Sequence, residues 1–163
     1  MKTRNWLAMA SGALLTFSIL SGAYLAPHAR AQSPSTFTIC LHDDTGQCIR
    51  SFGAGQGTQL WSSDYAVFHV VNTSSGGQKQ MENAAGNCLR VYSDDSVRLA
   101  FGSCDSTNDA EWWIRSEASN GRITYESKKY RGQFIGTLGT SNGIVVQVGP
   151  PQPGLYTGWF ECC

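Results

Sequence analysis

The sequence predicts an all-β domain built from similar units. Its apolar residues fall in short alternating segments, the pattern of half-buried strands rather than of helices. These segments are residues 36–42, 65–71, 96–102, 122–127 and 143–149. Turn-forming residues fill the stretches between them. In addition, the stretches GQCIRSFGAGQGTQLWSSD from Gly46 and GNCLRVYSDDSVRLAFGSCD from Gly86 are near copies that begin 40 residues apart.

The first 31 residues are typical of a secretory leader. Lys2 and Arg4 precede a long apolar run, and Ala29-Arg30-Ala31 matches a small-x-small cleavage site. An uncleaved membrane anchor is the alternative, but serine, glycine and threonine interrupt the apolar run. We therefore expect a cleaved signal peptide over residues 1–31 and a single secreted domain over residues 32–163.

The charge balance excludes two classes of ligand. The chain has 12 basic and 12 acidic residues. Cleavage would remove Lys2, Arg4 and Arg30, which leaves nine basic residues against 12 acidic ones and a formal net charge of −3. Because no basic patch remains, we expect no nucleic-acid partner and no membrane insertion.

An even number of cysteines in an exported chain indicates disulfide bonds rather than thiol chemistry. The six cysteines are Cys40, Cys48, Cys88, Cys104, Cys162 and Cys163. A zinc site is disfavoured because the sequence has no CxxC pair, and because His42 and His69 lack the spacing of zinc ligands.

The sequence carries no catalytic motif. It lacks G-x-S-x-G, HExxH and a glycine-rich loop that leads into a helix. The acidic pairs Asp43-Asp44 and Asp94-Asp95 fall in expected hairpin turns, where aspartate commonly bonds to the backbone. Asp44-Thr45-Gly46 matches the triplet of aspartic proteases, but a chain of this length has no second lobe. We predict no enzymatic activity, no metal and no cofactor.

A third, weaker copy of the repeat begins at Gly132, where Gly-Gln-Phe-Ile replaces Gly-polar-Cys-aliphatic. Each copy ends in a large aromatic residue after a polar loop. These aromatics are Phe68 in the first copy, Trp112 and Trp113 in the second, and Trp159 in the third. Since one such unit cannot bury its own apolar face, the three units are expected to share one core, which takes Trp159 and one of the two adjacent tryptophans.

This pattern resembles a known family. Glycine, a polar residue, Cys-Leu, a hairpin, a strand that ends near a second cysteine, and a Q-x-W-like aromatic are similar to the ricin-type β-trefoil, the QxW lectin-like domain. The resemblance covers residues 36–163 and is clearest in the second repeat. It implies a six-stranded barrel capped by three hairpins, with pseudo-threefold symmetry among segments that begin near Thr36, Gly77 and Gly121.

The resemblance also implies disulfide pairings. Cys88 and Cys104 occupy the two family positions that pair within one repeat. The first repeat lacks its second cysteine, and the first and last strands of a closed barrel are neighbours. We therefore expect Cys40 and Cys48 to join the last two cysteines of the chain. The alternative is a bridge from Cys40 to Cys48, which would leave a strained pair of adjacent cysteines or a link to another chain.

The family's sugar sites, as the resemblance implies, combine an aspartate two positions after the first cysteine, a stacking aromatic and an amide from the QxW segment. The aspartate position holds Arg50, Arg90 and Gly136 in the three repeats. Arginine has donors but no acceptor, so the usual galactose geometry is disfavoured. The first repeat keeps Gln59 and Trp61, and Trp61 occupies the stacking position.

The second repeat keeps polar residues around its tryptophans, namely Asp94, Asp95, Asn108, Asp109 and Glu111. The third repeat offers Gln147, Tyr156 and a proline-rich loop. The predicted carbohydrate-binding residues are Arg50, Gln59, Trp61, Arg90, Asp94, Asp95, Asn108 and Glu111.

Arg50 and Arg90 stand at matching positions and suggest an acidic ligand. Arginine binds carboxylates in a bidentate manner, so a sialic or uronic acid, or an acidic protein, would fit. Alternatively, each arginine pairs with a nearby aspartate such as Asp94 or Asp95. The predicted function is a secreted, non-catalytic carbohydrate-binding module. The alternative is a protein-binding trefoil, either a targeting subunit of a secreted toxin or a secreted inhibitor.

Overall fold

The computed structural model describes residues 36–43, 46–92 and 98–163, so the predicted leader and the pair Asp94-Asp95 lie outside the described residues. Within these ranges, no helix is long and apolar enough to cross a bilayer. The strands are Thr38–Leu41 (β1), Cys48–Ser51 (β2), Thr58–Trp61 (β3), Phe68–Thr73 (β4), Lys79–Asn83 (β5), Asn87–Val91 (β6), Leu99–Ser103 (β7), Trp112–Glu117 (β8), Ile123–Ser127 (β9), Phe134–Thr137 (β10), Val145–Gly149 (β11) and Trp159–Cys162 (β12). A 3₁₀ turn, Asp109–Glu111, precedes β8.

Six strands form a closed barrel. β5 pairs with β4 and β8, β9 pairs with β8 and β12, and β12 pairs with β1, all antiparallel. The ring closes where Phe37, just before β1, pairs with Phe68 at the start of β4 through two backbone hydrogen bonds of 2.9 and 2.7 Å. Closure leaves the barrel without an unpaired edge.

The other six strands form three hairpins that cap the barrel, β2–β3, β6–β7 and β10–β11. Each hairpin touches the other two through short β contacts. These contacts pair Gly57 with Ala100, Arg98 with Gln147, and Val145 with Gln59. The four-strand unit thus occurs three times about one axis, which confirms the predicted β-trefoil and its pseudo-threefold symmetry.

The core consists of threefold sets of side chains. Strand register makes Phe68, Trp113 and Trp159 equivalent, since they lie opposite Asn83, Ser127 and Leu41. Three further sets are fully buried: Ile39, Met81 and Tyr125; Ile49, Leu89 and Ile135; Leu60, Phe101 and Val148. The residues that align the three copies in the sequence are therefore the residues that fill the shared interior.

Two of the three core aromatics make the same hydrogen bond. Trp113 donates its indole N–H to the carbonyl of Leu89 at 2.9 Å, and Trp159 donates to Ile135, also at 2.9 Å. Each bond joins the last barrel strand of a repeat to the first strand of its hairpin. A buried carbonyl needs such a partner, because leaving it without one costs about 1–3 kcal/mol.

The first repeat solves the same problem differently. Phe68 has no N–H on its ring, and the carbonyl of Ile49 accepts from the backbone N–H of Ala66 at 2.8 Å instead. In this repeat, the backbone N–H of Ala66 thus takes the place of the indole N–H as the donor to the hairpin strand. This segment also borders the candidate site.

The structure contains two disulfide bonds. Cys88–Cys104 joins two strand ends within the second repeat, as predicted. Cys40–Cys48 joins β1 to β2 across 8 residues of sequence. This second bridge is the alternative pairing considered in the sequence analysis.

The expected bonds from Cys40 and Cys48 to Cys162 and Cys163 are wrong. β1 and β12 are indeed neighbours, but Cys162 lies opposite Thr38, whereas Cys40 lies directly opposite Cys48 on the other side of β1. The register therefore places Cys40 beside Cys48. Cys162 and Cys163 are exposed free thiols.

An ion pair closes the end of the barrel away from the cap. Val70, Arg115 and Glu161 are equivalent positions, each two residues after the core aromatic. Arg115 donates two hydrogen bonds to Glu161, at 3.0 and 3.1 Å, and the Tyr125 hydroxyl donates a third at 2.5 Å.

Although burial acts to raise the pKa of Glu161, the bonds from Arg115 and Tyr125 outweigh it and hold that pKa below its usual value. Burial and the charge of Glu161 raise the pKa of Tyr125.

Candidate functional site

In the first repeat, an arginine fills the position where the family has its sugar-binding aspartate. Arg50 on β2 lies beside Trp61 on β3, because Cys48 and Trp61 are opposite each other in the hairpin. The guanidinium carbon is 5.0 Å from the centre of the Trp61 ring and 4.9 Å from that of Phe52. Both distances are typical of cation–π contacts. Trp61 therefore presents one ring face to Arg50.

Arg50 also forms an ion pair. Its Nη2 lies 2.7 Å from Oδ2 of Asp64, which is 76% exposed, while the Arg50 side chain is 25% exposed. Asp64 has a φ of 56°, the left-handed region that is uncommon for residues other than glycine. For Arg50, the structure thus shows pairing with an aspartate, Asp64, whereas Asp94 and Asp95 lie outside the described residues.

In the second repeat, the pocket is closed by the side chain of Arg90. The position equivalent to Trp61 is Gly102, which lies opposite Cys88. A Cβ atom on Gly102 would be 2.4 Å from the guanidinium carbon of Arg90, so the side chain lies directly on this glycine. Nε of Arg90 is buried without a hydrogen-bond partner among the described residues. The predicted neighbours Asp94 and Asp95 lie outside those residues.

Asn108 and Glu111 lie together but bond to the protein itself. Glu111 is fully buried, and its Oε2 accepts from the Gln80 side chain at 2.6 Å and from the Asp105 backbone at 2.8 Å. Asn108 donates to the other oxygen at 3.3 Å and accepts from the backbone N–H of Ala110, which caps the 3₁₀ turn. Their polar atoms hold this turn in place.

In the third repeat, a leucine occupies the pocket. Gly136 and Gly149 stand at the positions of Arg50 and Trp61. Leu155 from the proline-rich loop packs on both glycines, because added Cβ atoms would lie 2.9 Å and 3.5 Å from its side chain. Leu155 is 9% exposed. This pocket is therefore filled by an apolar side chain.

The three equivalent pockets thus differ in chemistry. The first pocket brings together the predicted residues Arg50, Gln59 and Trp61, since Gln59 lies opposite Arg50. The sequence interpretation missed Phe52 and Asp64, and the signal for Asp64 was its position four residues before the core aromatic, just before the segment Ala66-Val67-Phe68 that takes the place of QxW. Within the described residues, no group of His, Cys, Asp and Glu is placed to hold a metal ion.

No family model and no curated protein matches the chain, but solved structures do. The Vibrio vulnificus hemolysin/cytolysin β-trefoil lectin, with N-acetyl-D-lactosamine bound, aligns with a TM-score of 0.56 and 18% identity over 80% of this chain and 96% of that one. A Haemophilus ducreyi cytolethal distending toxin chain aligns with a TM-score of 0.65 and 12% identity over 82% of this chain and 88% of that one.

The Polyporus squamosus lectin, bound to the epitope Neu5Acα2-6Galβ1-4GlcNAc, aligns with a TM-score of 0.63 and 16% identity over 80% of this chain and 49% of that one. The chain spans only 17% of a mosquitocidal holotoxin chain and 28% of a GH43 β1,3-galactosidase chain that it also matches. At these identities the matches show the fold, a β-trefoil of the type that occurs in lectins.

Proposed function

We propose that this protein is a secreted, non-catalytic glycan-binding module of the lectin type, and that its first-repeat pocket binds an acidic sugar. The observation that carries this proposal is the placement of Arg50, whose guanidinium is held against Phe52 and Trp61 and is paired with an exposed aspartate. The two disulfide bonds support an extracellular location.

The binding step is an exchange of carboxylates. Asp64 is largely exposed, so it can leave Arg50 at little cost, because exposed ion pairs contribute about 0–1 kcal/mol. A sugar carboxylate can then accept two parallel hydrogen bonds from the guanidinium. Phe52, which is 43% exposed, is available to the apolar part of the sugar, and Gln59 offers an amide to its hydroxyls.

One of the compared lectins supports testing this class of ligand. The glycan bound by the Polyporus lectin carries N-acetylneuraminic acid, a sugar with a carboxylate. The identity to that lectin is low, so it supports the choice of ligands to test rather than the position of the site.

A glycan array tests the proposal. The mature protein should bind sialylated or uronic-acid glycans more strongly than their neutral counterparts. Arg50→Gln should weaken that binding about ten- to hundredfold, because hydrogen bonds to charged groups contribute about 1.5–3 kcal/mol. Asp64→Asn should strengthen it up to about fivefold by removing the competing carboxylate. Arg131→Gln is the control, since Arg131 is 66% exposed and also forms an ion pair with a carboxylate, that of Glu126.

The result that would contradict the proposal is equal binding to acidic and neutral glycans, or acidic binding that survives Arg50→Gln. Weaker binding after Asp64→Asn would show that the aspartate takes part in recognition instead of competing with the ligand.

A protein-binding trefoil is a second candidate, because the chain aligns with 88% of a cytolethal distending toxin chain and because two family pockets are filled by Arg90 and Leu155. In that case the protein would be a targeting subunit of a secreted toxin. Purification from culture medium of the producing organism should then yield a second secreted chain in fixed stoichiometry, whereas a lectin alone should elute as a single species.

A further inference from the structure

A groove on the side of the barrel is lined by β8, β9, the start of β10 and the segment that follows β11. Its volume is about 460 Å³, within the range of about 300–1,000 Å³ that is typical of ligand pockets. It shares no lining residue with the Arg50 pocket. Its walls combine apolar and polar side chains, among them Glu117, Arg122, Thr124, Phe134, Pro151 and Thr157.

The corresponding space in the second repeat is filled by a buried polar pair. Strand register makes Thr124 equivalent to Gln80 and Thr157 equivalent to Glu111. Gln80 donates to Glu111 at 2.6 Å, and both side chains are fully buried. The two threonines are shorter and form no such bond to each other, which leaves the groove open in the third repeat.

Apolar groups replace the disulfide bond of the second repeat. Hairpin register places Phe134 at the position of Cys88 and Pro151 at that of Cys104. Phe134 is half-buried and Pro151 is exposed, so both can contact a ligand. The third repeat therefore has an apolar surface where the second repeat has a covalent crosslink.

Arg122 supplies a positive charge that no carboxylate of the described residues neutralises. Its side chain lies across Gly158, where an added Cβ atom would be 2.4 Å from Nε. Nη2 donates a hydrogen bond to the Thr157 hydroxyl at 3.2 Å. Among the ion pairs formed by the described residues, none includes Arg122. Because a guanidinium has five N–H donors, most of them are available to a ligand.

The acidic side chain that lines the groove is already paired. Glu117 lies 2.8 Å from Arg115 and is 51% exposed. It therefore leaves the Arg122 guanidinium free, and it repels a second anion from its own position. A ligand carboxylate is expected at Arg122, with the rest of the ligand on Phe134 and Pro151.

We infer that this groove binds a small organic carboxylate with an apolar body, either a free acid or the C-terminal residue of a peptide. The carboxylate accepts two parallel hydrogen bonds from Arg122. The apolar body covers Phe134 and Pro151 and removes their surface from water. This site goes beyond the proposed glycan-binding function, because it uses other residues and takes a ligand that is not a sugar.

Nuclear magnetic resonance titration of the mature protein with 3-phenylpropionate and N-acetyl-L-phenylalanine tests this inference. At least one of these acids should shift the backbone signals of Thr124, Phe134 and Thr157, with a Kd of about 1 mM or lower. N-acetyl-L-phenylalanine amide lacks the charge and should bind about tenfold more weakly than the acid. Tighter binding of 3-phenylpropionate would assign the site to free acids, and tighter binding of N-acetyl-L-phenylalanine would assign it to peptide C-termini.

Substitutions locate the bound carboxylate. Arg122→Gln should weaken binding of the preferred acid about tenfold or more, and it leaves the core intact because Arg122 is exposed. Glu117→Gln should leave the affinity unchanged or raise it up to about threefold by removing a like charge. Arg131→Gln is the matched control, because it removes the same charge from a residue that does not line the groove, and it should have no effect.

Absence of binding by both acids at about 10 mM would refute the site, since a ligand of this size in a formed groove should bind at that concentration. Equal binding of the acid and its amide would also refute it, as would equal effects of Arg122→Gln and Arg131→Gln. Acidic-glycan binding should depend on Arg50 and not on Arg122. The failure of one proposal can therefore be told from the failure of the other.

Discussion

The two indole hydrogen bonds allow a quantitative test of how the core is built. Trp113 and Trp159 are both fully buried, and each donates over 2.9 Å to a carbonyl 24 residues earlier in the chain. Replacement by phenylalanine keeps an aromatic ring but removes the donor. The first repeat tolerates phenylalanine because Ala66 supplies a backbone N–H to Ile49. In the second repeat the corresponding N–H, of Glu111, is already bonded to Asn108.

The magnitude follows from two contributions. An unsatisfied buried carbonyl costs about 1–3 kcal/mol, and the space left by the smaller ring adds about 1 kcal/mol or more. We therefore expect Trp113→Phe and Trp159→Phe each to lower the free energy of unfolding by about 2–4 kcal/mol. This is a large part of the total of about 5–15 kcal/mol that is typical of a single domain.

Urea unfolding with intact disulfides, followed by the fluorescence of the remaining tryptophans, measures the effect. With m of about 2 kcal/mol per molar urea, the midpoint should fall by about 1–2 M. Trp112→Phe is the control: the Trp112 ring is also buried, but Ser106, whose carbonyl accepts from its indole N–H at 3.0 Å, is exposed, so water can replace the lost donor. Its cost should not exceed about 1 kcal/mol. A change below about 0.5 kcal/mol for Trp113→Phe would refute the reasoning, as would unequal effects at Trp113 and Trp159.

Three further predictions concern other parts of the molecule. Because the pKa of Glu161 is lowered in the folded state, its contribution is present above its unfolded pKa of about 4.3 and is lost as pH falls further. Melting temperatures should therefore drop below about pH 4.5, and less steeply in Glu161→Gln. Iodoacetamide should label Cys162 and Cys163 in the unreduced protein, and mass spectrometry should find two adducts; four or none would contradict the pairing. Leu155→Ala should destabilise by about 2–4 kcal/mol, and Gly136→Ala should be better tolerated in that background, because the leucine side chain is then no longer in the way.

The fold could be predicted because its determinants recur in the sequence. The glycine that opens each later copy adopts a left-handed conformation, with φ of 79° at Gly86 and 77° at Gly132, so a turn is fixed at the same place in each repeat. All five predicted strand segments contain strands, β1, β4, β7, β9 and β11. β5 was not in that set, because in Lys79–Asn83 only Met81 is apolar and the buried Gln80 is satisfied by Glu111.

The contents of the pockets could not be predicted, because they depend on contacts between distant residues. The spacing of cysteines and aromatics predicts that Arg50 lies on a hairpin. It does not predict that Asp64, in the segment before β4, forms an ion pair with Arg50. The sequence likewise does not predict that Leu155 packs on Gly136 and Gly149, because its proline-rich loop indicates only a rigid segment. The predicted cysteine pairing was wrong for a related reason. The sequence predicts that the first and last strands are neighbours, but it does not predict which residues of β1 lie opposite those of β12 and β2.

The two disulfide bonds have a consequence for how the chain can be rearranged. They span 8 and 16 residues, so each lies within one repeat and neither links β1 to β12. Those two strands lie side by side, with Thr38 opposite Cys162. A short linker between them, with new ends at the exposed turn of Ser75 and Gly76, would give a circular permutant that keeps both covalent crosslinks and the same native contacts. We therefore expect the three repeats to form the same structure when the chain begins within the second repeat instead of the first.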